Sequence, residues 1–278
     1  MMDETFPAIH LLSKTNSPSS TTCSKCSSRS RCLPSSLNER HVSQLDRMIG
    51  KRRSVERNSM LFRIGDPFRS LHIIHSGQFM AFQGSARGKQ NVVGFHMTGE
   101  ILGLGAISTG FQDNNALVLE DSNVCEISFR CLEELCAEVP TLQQHFHRIL
   151  SREITRQQGI KKMLGARAEQ RLAIFLLDMS LRSAERGFSG LQFQLLMSRE
   201  LIGSYVGLTM ECISRLMSKF RQNDWITIDE KDIRICNYGT IKAQANDNDL
   251  EVPPNETPPA SNITLIHSLQ LRRTIVRG

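Results

Sequence analysis

The sequence predicts an α+β chain: an antiparallel β domain, then a long helix, then two helices backed by a two-stranded ribbon. Three observations carry this. Residues 51–130 break into short apolar runs, SMLFRI, SLHIIHSGQFMAFQ, QNVVGFHM, NALVLE and NVCEISF, separated by Gly-bearing turns, as antiparallel sandwiches and barrels do. Residues 140–165 place Leu142, Phe146, Ile149, Leu150, Ile154, Ile160, Met163 and Leu164 on one broad helical stripe. Residues 198–222 carry two helix-periodic stretches broken at Gly207, and WITIDEKDIRIC follows as two alternating strands around a turn.

Composition bounds the function. At 278 residues, 40% hydrophobic and 22% charged, the chain exceeds one typical domain. Its longest apolar run, residues 172–177, is far short of the roughly 20 residues that span a bilayer, so no membrane partner is expected. Residues 1–22 combine neither a basic head nor a signal-length apolar stretch, and a cytoplasmic location follows as the expectation. The 34 Lys and Arg against 28 Asp and Glu leave a net charge of +6, compatible with a nucleic-acid partner. There is no P-loop, G-x-S-x-G or H-E-x-x-H pattern, so nothing argues for an enzyme. Glu133-Glu134 reads as a solvated helix face.

Taken in order, residues 1–22 form a flexible arm without periodic apolar positions. CSKCSSRSRC opens a cysteine segment, 23–36. Leu37, Val42, Leu45, Met48 and Ile49 recur at helical spacing and start the β domain, 37–139. The long helix, 140–165, packs one edge on that domain and keeps the edge around Leu150 and Ile154 for a second chain. The helix pair belongs to a third part, 166–240, preceded there by an apolar helix over 168–179 and a short strand at QFQLL. Residues 241–278 are expected to be a disordered tail, because 244–262 hold four prolines and no aromatic residue.

The helix pair has helix-turn-helix grammar. Leu201, Ile202, Tyr205 and Val206 give the first helix an apolar face, Gly207 takes the turn, and Thr209 is a good N-cap for the second. Met210, Ile213, Leu216, Met217 and Phe220 then face inward. Glu211, Ser214, Arg215 and Ser218 are left outside, at the end that meets base edges in a docked helix-turn-helix. Arg215 has the fork for guanine O6 and N7, Glu211 accepts from cytosine N4, and Ser214 suits a thymine or a phosphate. Arg199, Lys219 and Arg221 suit phosphates. The alternative is a plain helical hairpin with Glu211 and Arg215 as an i, i+4 pair. The following ribbon, as a wing, favours DNA, and a two-fold dimer would read half-sites about 10 bp apart.

Eight cysteines are too few for a secreted disulfide scaffold, and in a reducing compartment a close cluster of them suits metal or redox chemistry. C-x2-C-x5-C, made by Cys23, Cys26 and Cys32, needs a fourth ligand for zinc or a cubane cluster. Cys125, Cys131 and Cys136 are candidates among which spacing does not choose. A single knuckle followed by a wide C-x5-C leans toward iron-sulfur over a zinc ribbon. Cys212 and Cys236 read as small buried hydrophobes.

With these residues laid out, the chain resembles the FNR branch of the CRP/FNR transcription regulators over about residues 23–238. The resemblance rests on CSKCSSRSRC, SNVCEISF around Cys125, RGFSG before a strand, and ECISR in the second helix. It implies a β-roll of the cyclic-nucleotide-binding type, a dimerisation helix and a winged helix-turn-helix. It also implies a [4Fe-4S] cluster on Cys23, Cys26, Cys32 and Cys125, with Glu211, Ser214 and Arg215 reading TTGAT-type half-sites in a homodimer whose DNA binding is lost when oxygen converts the cluster. RNA polymerase is the implied protein partner, and Lys89 stands where such regulators often carry an acid toward the sigma subunit. Gln157 lacks the acidic charge that discourages a cluster-free dimer in that branch. No cyclic nucleotide is expected: Gly99-Glu100 is present, but Asn114-Asn115-Ala116 replaces the Arg-Ser pair, and no arginine lies between Glu100 and Arg130. A haem regulator would need axial ligands among His72, His75 or His96, which read as ordinary barrel residues. A zinc-stabilised regulator is the remaining alternative.

Overall fold

The computed structural model describes residues 22–26, 28–84 and 90–246. The expected arm through residue 21, Lys89, and the tail beyond residue 246 lie outside the described residues. The chain divides into two compact units, residues 1–150 and 151–278, with the division inside the long helix.

In the first unit three single 3-10 turns, Cys23–Lys25, Arg29–Arg31 and Leu33–Ser36, lead to α1 (Glu39–Met48). The side chain of Asn38 caps α1 by accepting from the His41 N–H. Eight strands follow: β1 (Ile49–Val55), β2 (Met60–Phe62), β3 (Ser70–Ser76), β4 (Gln78–Gly84), β5 (Gln90–Met97), β6 (Ile101–Leu102), β7 (Asn115–Val118) and β8 (Ser122–Ser128). They form two antiparallel sheets, ordered β1-β8-β3-β6 and β2-β7-β4-β5. Neither β1, whose IGKRRSV is mostly polar, nor the two-residue β6 stood out in the sequence pattern. Gly77 joins β3 to β4 at φ +102°, and a Cβ there would meet the Ser122 Oγ at 1.9 Å, so only glycine fits.

Strand alternation gives the first sheet two apolar faces. One, with Val55, Ile74 and Val124, packs among Phe62, Phe79 and Val118. The other, with Leu71, Ile73, Cys125 and Ile127, is covered by Leu33, Leu37, Val42 and Leu45 and by two helices, α2 (Phe129–Glu138) and the start of α3 (Pro140–Leu164). Thus the cysteine segment and the long helix share one core.

The second unit holds the rest of α3, then α4 (Ala168–Glu185), β9 (Gln192–Gln194), α5 (Arg199–Val206), α6 (Met210–Gln222), β10 (Ile226–Asp229), β11 (Asp232–Ile235) and α7 (Tyr238–Ala245). Helix α4 runs past residue 179 because Arg182 is buried against Asp178, 3.0 Å away. The ribbon gains a third strand, in the order β10-β11-β9. Helix α7 corrects the expectation of a disordered tail from residue 241. YGTIKAQA is weakly amphipathic, but Asn237 caps it at the Thr240 N–H, Ile241 is fully buried, and Gln170 Nε2 donates to the Ala245 carbonyl at 3.1 Å. Among the described residues no helix is long and apolar enough to cross a membrane.

Truncating Ile241→Ala removes a buried anchor of α7 and is expected to destabilise the second unit by about 2–5 kcal/mol in denaturant unfolding. An unchanged midpoint would mean that α7 contributes no packing.

Candidate functional site

Cys125 lies on β8, the strand between β1 and β3, and its Cα partners are Arg52 and Ile73. The 3-10 segment crosses this face, so Cys23, Cys26, Cys32 and Cys125 line one cavity together with Arg52, His75 and apolar residues such as Leu45 and Ile127. All eight cysteines are free thiols. Cys131 is half-buried on α2 and Cys136 lies in the core, and neither lines the cavity. Of the three fourth-ligand candidates, register therefore brings only Cys125 to the N-terminal trio.

Burial dominates the thiol chemistry. It pushes Cys23 up to about 12 against the opposing charge of Arg52, and raises Cys32, where the neighbouring Cys23 and Cys125 add to the effect. Cys125 is raised by burial too, with Arg52 opposing. Neutral thiols are thus favoured until a cationic centre supplies the charge that ionises them. Cys26 Sγ lies 3.5 Å from His75 Nδ1, and that imidazole is held below its usual range by burial and then by Arg52. Among the described residues no three Cys, His, Asp or Glu side chains already converge at metal-holding separation. The donor set still fits a sulfur-ligated group: four thiols free of disulfides, one cavity and a guanidinium.

Sequence reasoning missed Arg52 and Asp46. Alternation along IGKRRSV puts Arg52 on the face opposite Arg53, and an arginine on a covered face calls for an acidic partner.

The second candidate surface is α5-turn-α6. Ser198 caps α5 by accepting from the Leu201 N–H. Gly207 takes the left-handed conformation at φ 69°, and Thr209 caps α6 by accepting from the Cys212 N–H. That cap accounts for Thr209 structurally. Ile213, Leu216, Met217 and Phe220 are buried, while Glu211 and Arg215 are exposed and Ser214 and Ser218 half-exposed. Met210 departs from the expected inward set: it is 54% exposed, because the first helical position overhangs the end of the stripe. Arg199 Nη1 donates to Ser214 Oγ at 3.3 Å, joining the two helices on the outer face. Lys219 is engaged by Glu169 Oε1 at 2.5 Å, and the phosphate contact expected of it would require release of that carboxylate. Cys212 is half-buried, and Cys236 is exposed just past β11, correcting the expectation of buried sulfurs.

On α3 Ile154 is 59% exposed and Gln157 donates from the surface to Glu153 Oε1 at 2.7 Å. Leu150, expected to be free, is partly buried against the first unit's core, one helical turn beyond buried Phe146. In the β domain Glu100 Oε2 faces His96 Nδ1 at 3.5 Å and accepts from the Met97 N–H, and Asn115 hydrogen-bonds the Phe82 carbonyl and the Ile64 N–H. His72 is buried beside Phe62, its rings 5.7 Å apart.

Comparison with known proteins places these features among regulators. The Cyclic nucleotide-binding domain model matches residues 52–139 and the Crp-like helix-turn-helix domain model matches residues 170–243. The chain is 38% identical over 224 residues to the fumarate and nitrate reduction regulatory protein of Salmonella typhimurium, covering 80% of this chain and 90% of that one. It is 39% identical over 216 residues to the corresponding protein of Klebsiella oxytoca (77% and 86%), and 38% identical over 220 residues to that of Escherichia coli K12 (79% and 88%). The fold is shared with FixK2 from Bradyrhizobium japonicum, at TM-score 0.63 and 21% identity over 69% of this chain and 96% of that one. It is also shared with the c-di-GMP responsive global regulator CLP of Xanthomonas campestris, at TM-score 0.57 and 20% identity over 71% and 99%.

Two outcomes follow from these geometries. A Cβ at Gly203 would stand 2.5 Å from the Leu208 carbonyl oxygen, so Gly203→Ala is expected to cost about 1–3 kcal/mol in the second unit and to weaken DNA binding; wild-type stability would show that the turn can yield. Burial, with Arg53 adding and Glu126 opposing, holds the His72 imidazole below its ordinary value of 6.5. An unfolded chain therefore takes up this proton first, and stability present above about pH 6.5 is lost as pH falls below it. His72→Phe should flatten that slope in pH-dependent unfolding, and an unaltered slope would move its source elsewhere.

Proposed function

Since the chain belongs to the CRP/FNR family, and within it to the fumarate and nitrate reduction regulatory proteins, we propose that it is a transcription regulator whose DNA binding answers to oxygen through an iron-sulfur cluster. The observation that carries the reading is that one cavity gathers the thiols of Cys23, Cys26, Cys32 and Cys125 and leaves out Cys131 and Cys136. These four thiols would hold a [4Fe-4S] cluster, which when bound supplies an oxygen-labile centre. Zinc draws four sulfurs to about 2.3 Å from one ion, whereas a cubane takes each thiolate on a separate iron. A single C-x2-C knuckle followed by C-x5-C, with the fourth sulfur supplied by β8, favours the cluster over a zinc ribbon.

The chain's own residues do the remaining work. Leu33 and Leu37 anchor the cysteine segment in the core that also holds Leu142 and Phe146 of α3, so the state of the cavity bears on the packing of the long helix. Ile154 offers an apolar seam to a second copy, and Gln157 brings no repelling charge to it. In the dimer Glu211, Ser214 and Arg215 face the base edges of a TTGAT-type half-site, while Arg199 and, once freed from Glu169, Lys219 meet phosphates. RNA polymerase is the protein partner, and the cytoplasm the compartment that keeps the thiols reduced. Cyclic nucleotide as the effector is disfavoured by the lack of a cation between Glu100 and Arg130.

Anaerobic purification with iron and sulfide analysis tests this, with air then admitted while binding to a TTGAT palindrome is followed at fixed salt. About four irons per chain and loss of colour and binding together are expected. A colourless protein that binds equally in air would remove the sensing half. Arg215→Ala is expected to relax selectivity at the guanine, with about 1–3 kcal/mol of discrimination lost; equal weakening on specific and random duplexes would assign Arg215 to a phosphate.

A further inference from the structure

We propose that Asp46 and Arg52 form the positioning and charge-balancing pair of the cysteine cavity, an inference that rests on the iron-sulfur reading above. One carboxylate oxygen, Asp46 Oδ1, accepts both from the Cys23 backbone N–H at 3.0 Å and from Arg52 Nη2 at 2.6 Å. The same Nη2 reaches Cys23 Sγ at 3.5 Å, and Arg52 stands directly across from Cys125 in the β1–β8 register. Three elements thereby meet at one cation: α1 through Asp46, β1 through Arg52 itself, and β8 through Cys125, its partner in register. The 3-10 turn that carries Cys23 is tied to α1 by this hydrogen bond, although Thr22 gives it no side-chain cap.

The pair is mostly buried, with 15% and 19% of the two side chains exposed. An exposed pair of this kind contributes little, and a buried one carries a desolvation penalty that its own attraction repays only with good geometry and further hydrogen bonds. Here the further bonds go to the amide and to the sulfur of Cys23. The other arginine on the cavity wall, Arg29, is turned away to Glu39 at 2.6 Å and to the Leu37 carbonyl. A group held by four thiolates is negative, and a cation hydrogen-bonded to one of those sulfurs and paired in register with the residue that carries another stabilises it and its reduced state.

The test uses the full chain, reconstituted anaerobically with iron and sulfide, as wild type, Arg52→Gln, Arg52→Lys and Asp46→Asn. Iron release to a ferrous chelator without oxygen, the midpoint potential of the cluster, and the thermal midpoint of the metal-free protein are measured. Arg52→Gln and Asp46→Asn are expected to release iron about 10- to 100-fold faster, with the Arg52→Gln midpoint moved to more negative potential. Arg52→Lys, which keeps the charge and loses the fork, should release iron at an intermediate rate with a potential near wild type. In the metal-free state Arg52→Lys and Asp46→Asn should melt near wild type, whereas Arg52→Gln, which leaves Asp46 buried without its cation, is expected to melt lower. Wild-type release and potential in Arg52→Gln would overturn the proposal. So would Arg52→Lys behaving like Arg52→Gln while both metal-free proteins melt early, since that pattern marks a sheet clip. A wild type that takes up no iron would overturn the iron-sulfur reading first and this inference with it.

Discussion

Leu33 and Leu37 are buried on the same sheet face as Ile73, Cys125 and Ile127, and the arrangement of the first unit depends on that contact. A segment of single 3-10 turns has little cohesion of its own. Burying each leucine contributes roughly 1.5–3 kcal/mol, enough to hold the segment on the sheet and keep three cysteines within reach of a fourth. The polar residues then work within a frame that apolar packing has set: Asp46 takes the Cys23 amide, Arg52 holds Asp46 and reaches the Cys23 sulfur, and Arg29 closes on Glu39.

On the proposed reading, that anchor would also carry chemistry at the cysteines to the long helix. Leu142, Phe146 and, in part, Leu150 of α3 belong to the core that contains Cys23, Leu33 and Cys125. Metal binding to a segment of weak intrinsic structure is folding free energy for that segment, and a shared core conveys a change in its packing to the helix start. A ligand that favours one packing shifts the population of states the helix presents to a second copy. The exposed Ile154 and the uncharged Gln157 lie beyond that start, where the outcome would be read. In the second unit, capped helices and a glycine turn fix Glu211 and Arg215 outside, whatever happens upstream.

What was legible in the sequence follows from the range of each interaction. Periodicity separated Ile213, Leu216, Met217 and Phe220 from Glu211, Ser214 and Arg215, because a helix sorts its faces locally; it misplaced Met210, where the helix begins and its neighbours end. Gly207 and Thr209 were readable as turn and cap for the same local reason. Spacing left Cys125, Cys131 and Cys136 equal, since the choice is made by the register of β8 against β1, about a hundred residues from the trio. The engagement of Lys219 by Glu169, 50 residues away, carries no local signal, and neither does the Asp46–Arg52 pair. Helix α7 escaped notice because one buried isoleucine, not an apolar stripe, holds it. Leu150 looked free because the stripe of α3 is broad, and the sequence does not say how far around the helix the first unit's core extends.

The proposed cluster site stands or falls with the fourth sulfur that completes it. Single Cys→Ser variants at positions 125, 131 and 136, reconstituted anaerobically and assayed for iron and sulfide, decide it most directly. Cys125→Ser is expected to lose the cluster, while Cys131→Ser and Cys136→Ser keep the wild-type content. Full iron in Cys125→Ser, with loss in Cys131→Ser or Cys136→Ser, would contradict the cavity as the binding site.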